Sequence, residues 1–199
     1  MGAGADWPLT AGRRARTLAA MEPPAHAATL VELLETSVAR FGPRPALSVR
    51  RADGSLEAWT YAELDRRSRL AAWRLRALDL RPGDRVLTWA PSGPELAAAY
   101  FGAMRAHLVL VPLDLRMSPE AIRGVVEAAA PAHLLLGTGR DAPDPRDVDL
   151  QAFPTTTVDD LCAEPDVGFP ADWEGRVRAW EPPAPGEVFE LIFTSGTTG

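Results

Sequence analysis

The residues with the most chemical content stand at the end of the chain. A short apolar run, Leu191-Ile192-Phe193, leads into Thr194-Ser195-Gly196-Thr197-Thr198-Gly199. Glycines let backbone N–H groups approach an anion, and Ser and Thr hydroxyls add donors, so a strand followed by such a loop is suited to holding phosphate. A helix N-terminus after the loop would add partial positive charge, but the sequence stops at Gly199. The pattern is not a Walker loop, which needs Gly, four residues and then Gly-Lys-Ser/Thr. On residue types alone, a linker end rich in Thr, Ser and Gly reads the same way.

Other chemistry is sparse. All 21 basic residues are Arg, so no Lys can serve as phosphate ligand, Schiff-base former or general base. The single Cys162 excludes an intramolecular disulfide, fits a cytoplasmic location and reads as an inert thiol. His26, His107 and His133 lack metal-ligand spacing, and no metal site is expected from them. Gly137-Thr138-Gly139 lacks the third glycine of a dinucleotide fingerprint.

The net charge of −6 gives no general reason to bind nucleic acid. Residues 29 to 140 carry 15 Arg against 12 acids, and residues 141 to 190 carry 3 Arg against 13 acids, so the acidic excess belongs to a solvated second half. Residues 1–28 read as a loose extension without the continuous apolar run of a secretory signal, and Met21 is an alternative start. The most apolar stretch, Leu96 to Leu113, contains Arg105 and His107, so a helix followed by a buried strand is expected there and no transmembrane segment.

The elements that must position the loop announce themselves locally. Thr29 with Glu32, Thr60 with Glu63 and Ser92 with Glu95 have capping-box spacing, and Ser118 before Pro119 marks a fourth helix start. The first helix is expected to bury Leu30, Leu33, Leu34, Val38 and Phe41. The second is expected to bury Leu64, Ala71, Leu75 and Leu78 and to turn Asp65, Arg66, Arg69 and Arg76 outward, with Trp73 on the polar side, where it could pack under another element.

Residues 46–49 and 56–60 around Asp53-Gly54 read as a hairpin. After Arg81-Pro82-Gly83-Asp84, residues 86–89, 108–111 and 134–136 read as strands alternating with helices around a mainly parallel sheet. The fold class is therefore α/β. Residues 137–187, rich in Pro, Asp and Glu, read as a long irregular connection with one short strand, and 188–199 as a strand and its phosphate loop.

The ending Phe193 to Gly199 resembles the signature loop of the adenylate-forming (AMP-binding) superfamily, and landmarks upstream follow that family's order. Trp59-Thr60-Tyr61-Ala62-Glu63-Leu64 is similar to its Thr-Tyr-x-Glu-Leu segment, Arg81 to Val86 to its next turn and strand, and Gly102 to Asp114 to the run ending in Val-Pro-Leu-Asp. The resemblance covers residues 29–199 and implies an incomplete N-terminal domain of that fold. Thr60/Glu63, Pro82-Gly83 and Pro112 to Asp114 also have plain structural readings as cap, turn and strand end.

Resemblance assigns Thr194, Ser195, Gly196, Thr197, Thr198 and Gly199 to the phosphates of ATP, with no catalytic residue inside the chain. It implies ATP, Mg²⁺ and CoA for a full-length parent that activates a carboxylic acid, a fatty acid being one candidate. Residues 109–116 read more like acyl-CoA synthetases than peptide-synthetase domains. Two departures stand out. Arg105-Ala106-His107 puts a bulky residue where the family commonly has Gly at the helix exit. The family's Pro-Lys-Gly continuation, adenine segment, Mg²⁺ carboxylate and C-terminal Lys are also missing, so the 199 residues alone are expected to be inactive. Two alternatives remain open: a natural truncated or split partner that assembles with a separate chain, and an adenylation domain that does not use CoA.

Overall fold

The computed structural model describes residues 26–51, 53–139, 141–166 and 169–193. The first helix, α1 (Leu30–Phe41), starts where Thr29 accepts the Glu32 N–H at 3.1 Å and Glu32 accepts the Ala28 N–H at 2.7 Å. Its buried stripe differs from the expected one. Val31 and Leu34 are buried, whereas Leu30 and Leu33 are 43% and 40% exposed. The packed contact is narrow, and Leu30 and Leu33 line an open groove with Met104, Leu108 and Phe189.

The hairpin is present. Strand β1 (Pro45–Arg50) pairs antiparallel with β2 (Leu56–Thr60), and Gly54 adopts φ +86°, which glycine tolerates. Thr60 then caps α2 (Tyr61–Arg76): its hydroxyl accepts the Glu63 N–H at 3.1 Å, and the Glu63 carboxylate accepts the Thr60 N–H at 2.8 Å. Both halves of the capping box are therefore made.

After the Arg81–Asp84 turn comes the sheet. Strands β3 (Arg85–Trp89), β4 (Val109–Pro112), β5 (His133–Leu136) and β6 (Thr155–Thr157) run parallel in the order β4-β3-β5-β6. Helix α3 (Pro94–Arg105) joins β3 to β4, and α4 (Pro119–Ala129) joins β4 to β5. Val86, Leu110 and Leu135 pack with Ala71, Leu75 and Ala99 on one face, while Leu87, Val111 and Leu134 pack with Ile122 and Val125 on the other. Helices cover both faces, which is why these strands are continuous apolar runs.

Helices α2 and α3 touch at Gly102, where an added Cβ would lie 2.7 Å from the Ala71 Cβ and 3.0 Å from the Ser68 carbonyl oxygen. The α3 start differs from the capping box expected at Ser92. Gly93 is the N-cap without a side-chain bond, and Pro94 opens the helix with its preset φ. The Glu95 carboxylate instead accepts Arg51 Nη2 at 2.6 Å, tying the hairpin to α3.

Helix α2 also departs from its wheel. Asp65 and Arg69 are buried, because Arg69 Nε donates to Asp65 at 3.0 Å, Arg105 Nη2 donates to Asp65 at 2.6 Å, and both arginines bond Glu35. Leu78 is 37% exposed. Trp73 does pack under another element: it stacks on Trp180 at 6.3 Å and 6°, with Arg76 over the Trp180 ring at 3.7 Å.

The stretch 137–187 is more regular than expected. Besides the short strand β6, it holds a 3-10 turn (Pro145–Val148) and helices α5 (Val158–Cys162) and α6 (Trp173–Arg178). Val148, Leu150, Val158, Leu161, Trp173 and Val177 are buried. Each element is too short for its periodicity to stand out among prolines and acids. The strand expected after residue 187 reduces, among the described residues, to one bridge between Leu110 and Glu190.

Candidate functional site

That bridge sets the direction in which the segment ahead of the candidate loop runs. The Leu110 N–H donates to the Phe189 carbonyl and the Leu191 N–H donates to the Leu110 carbonyl, each at 2.8 Å, in parallel pairing. A segment parallel to β4 must leave the sheet at the carboxyl ends of the strands, the end at which open α/β sheets bind ligands. Leu191 packs against the Leu87/Val111 cluster. Ile192 and Phe193 are exposed and line an open crevice of about 1040 Å³ with Pro112, Leu113, Asp114 and Met117. Thr194, Ser195, Gly196, Thr197, Thr198 and Gly199 lie outside the described residues.

Several groups gather at the same end. The chain leaves β3 toward β4 and then crosses to β5, so the β3/β5 boundary is a topological switch point. Pro91-Ser92-Gly93 and Gly137-Thr138 face one another there, and a Cβ on Gly137 would lie 2.8 Å from the Ala90 Cα. Thr138 donates to Asp159 across the gap. Trp89, at the end of β3, carries a buried Nε1 with no hydrogen-bond partner among the described residues. Beside β4, hydrogen bonds from the Arg116 side chain and backbone hold the exposed Asp114 carboxyl at about 2.

The remaining candidates have structural roles. Burial pushes the Cys162 thiol up to about 12, which makes it a poor nucleophile. Burial lowers His133, whose Nε2 lies 2.9 Å from the Thr156 hydroxyl. Among the described residues, no group of three His, Cys, Asp or Glu could hold a metal ion, and no helix is long and apolar enough to cross a membrane.

Sequence reasoning left unexplored what His107 touches. This residue takes a left-handed φ of +60°, and its ring meets the segment that delivers the bridge: Nδ1 lies 2.9 Å from Glu187 Oε1 and Nε2 lies 3.0 Å from the Glu181 carbonyl. The signal available in the sequence was a large polar residue at a helix exit.

The family model of AMP-binding enzymes matches residues 34–199, most of the chain and all of the sheet. The chain belongs to the AMP-binding enzyme family. Curated relatives of this AMP-binding domain include an L-proline–[L-prolyl-carrier protein] ligase of Streptomyces coelicolor, 35% identical over 70% of the chain. A 3-hydroxybenzoate–CoA ligase of Aromatoleum sp. is 31% identical over 73% of it. The chain spans 28% of the length of each relative.

Among solved structures, the complex of VinN with L-aspartate superposes with a TM-score of 0.64 at 27% identity, covering 85% of this chain and 45% of that one. The fatty acyl-adenylate ligase from L. pneumophila superposes with a TM-score of 0.63 at 21% identity, covering 87% and 29%, and speaks to the fold alone. The relatives thus include carrier-protein and CoA ligases alike, so membership in the family does not select the CoA preference read from residues 109–116.

Proposed function

We propose that this chain is the phosphate-holding part of an ATP-dependent ligase that activates a carboxylic acid as an acyl-adenylate. The reading is supported by the parallel Leu110/Glu190 bridge, which runs the segment preceding Thr194 toward the carboxyl edge of the sheet in a chain of the AMP-binding family. A carboxylate is a poor acyl donor. When its oxygen attacks the α-phosphorus of ATP, the bond to the β-phosphate oxygen breaks and pyrophosphate leaves. The task of Thr194, Ser195, Thr197, Thr198 and the N–H groups of Gly196 and Gly199 is to hold the β- and γ-phosphates in line and share their charge. Oriented donors of this kind lower a barrier by several kcal/mol.

Mg²⁺ supplies further charge neutralisation when bound. Its ligands and the adenine pocket belong to polypeptide beyond these residues, so the 199 residues by themselves are expected to show negligible ATP affinity and no turnover. The acyl group then passes to a thiol. CoA is the acceptor favoured by the Val109 to Arg116 sequence, and the carrier-protein ligase among the relatives supports a carrier thiol as the second reading.

The test is ATP–pyrophosphate exchange across a panel of carboxylic acids, fatty acids included, with the whole protein that carries this chain. Acid-dependent exchange is the expected result, followed by thioester formation with CoA in preference to a carrier. Absence of exchange with every acid, in a folded protein, would sink the reading.

A further inference from the structure

We propose that His107 is a positioning residue, a latch that sets the register of the strap 181–193 against β4 and so fixes where the phosphate loop leaves the sheet. The inference rests on the phosphate-loop reading of residues 194–199. Three connections meet at this one residue. Its carbonyl accepts the Gly83 N–H at 2.7 Å, securing the turn that enters β3. Its ring reaches Glu187 Oε1 at 2.9 Å and the Glu181 carbonyl at 3.0 Å, the two ends of a seven-residue span. Glu187 also accepts the Ala184 N–H at 3.1 Å through its other carboxylate oxygen, so the strap is folded around the carboxylate that the ring holds.

Two residues beyond Glu187 the strap pairs with Leu110, and Leu110 itself lies three residues beyond His107. The latch and the bridge therefore close one small circuit. The backbone at His107 is left-handed, a region in which a non-glycine residue is held at a cost of about 1–2 kcal/mol. That conformation closes the end of α3, where the His107 N–H donates to the Met104 carbonyl at 3.1 Å and the Leu108 N–H to the Ala103 carbonyl at 2.9 Å, and the two ring contacts tie this helix end to the strap. Val188 and Phe189 are 58% and 37% exposed, so apolar packing on its own anchors this part of the strap weakly.

Replacing His107 with Gly separates latch from scaffold, because it removes the ring while relieving the left-handed backbone. Amide hydrogen exchange on the chain reads the first consequence. Protection at Leu191 and Leu110, the two bridge donors, should fall about tenfold, as expected for losing a hydrogen bond to a charged group. Protection within β3 and β5 should stay unchanged. Unchanged protection at both donors overturns the proposal, and so does a uniform loss across the sheet, which would make His107 an ordinary packing residue.

The second readout is pyrophosphate exchange by the whole protein. His107→Gly should lower kcat/KM for ATP about tenfold while KM for the acid stays within about twofold, because the displaced element is assigned to the phosphates and not to the acid. Glu187→Gln, which keeps the shape and a bond to the ring, should recover most of the loss seen with Glu187→Ala. Equal loss in both variants counts against the latch. If the wild-type protein shows no exchange, the functional reading fails, and hydrogen exchange still decides the latch.

Discussion

The central sheet and the strap that returns to it are held by opposite means. Strands β3, β4 and β5 sit under helices on both faces, with Leu87, Leu110, Leu134 and Leu135 fully buried. Their position follows from apolar area, which is non-directional and spread over many contacts. The strap 181–193 is placed by the His107 ring and two backbone hydrogen bonds to Leu110, with Leu191 packed on the Leu87/Val111 cluster and Trp180 stacked just ahead of it. The first region tolerates the loss of any one contact gradually. The second can be shifted by one, and it is the one that carries the candidate phosphate loop.

The largest effects are expected in the scaffold. Asp65→Ala leaves Arg69 and Arg105 buried with only Glu35 as a carboxylate partner, and should destabilise the chain by about 3–5 kcal/mol in urea titration. Leu134→Ala, which opens a cavity between β5 and α4, should cost about 2–5 kcal/mol by the same measurement. Gly102→Val drives a side chain into Ala71 and should cost about 1–3 kcal/mol. A value near zero for Gly102→Val would mean that the α2/α3 contact yields, and the contrast with the strap would weaken.

The pH dependence sharpens the same contrast. Burial alone would raise the Glu35 carboxyl, but hydrogen bonds and charge from Arg105 and Arg69 hold it below its ordinary value. A group depressed in the folded state contributes stability above its unfolded value, and that contribution fades as pH falls through the folded one. The melting temperature should therefore drop below about pH 4.5, and Glu35→Gln should flatten part of that slope. An unchanged slope would remove Glu35 from the scaffold network.

The strap should respond more weakly in global stability. Trp180→Ala removes the Trp73 stack and the Arg76 contact and should cost about 1 kcal/mol, with limited proteolysis increasing between residues 181 and 187. The smallest pair tests the helix starts. Thr60→Ala should cost about 1 kcal/mol, whereas Ser92→Ala should stay within about 0.5 kcal/mol because Ser92 is not the α3 cap.

Much of the scaffold was legible because its signals are local. Thr60 and Glu63 satisfy each other across three residues, Asp53-Gly54 turns the hairpin, and the runs at 86–89 and 134–136 are apolar because both faces of the sheet are covered. Asp65 and Arg69 were misread as outward-facing because their partners, Arg105 and Glu35, stand 40 and 34 residues away. A wheel sees one helix and not the charge packed against it. Ser92 failed as a cap because Pro94 and Arg51 impose a different start on α3 and a different partner on Glu95. Helices α5 and α6 were hidden by their brevity, whereas one short strand was expected in that stretch.

The chain's residues by themselves determined the α/β alternation, the caps at Thr29, Thr60 and Ser118, the family and the candidate loop, because each depends on groups adjacent along the backbone. Only the tertiary structure decided that β4 receives the segment around Glu190 in parallel and that His107 holds the strap delivering it. Both join residues some 80 positions apart, 74 and 80 for the two ring contacts. A pairing at that separation exists only once the sheet has brought its partners together, and no periodicity in the chain encodes it.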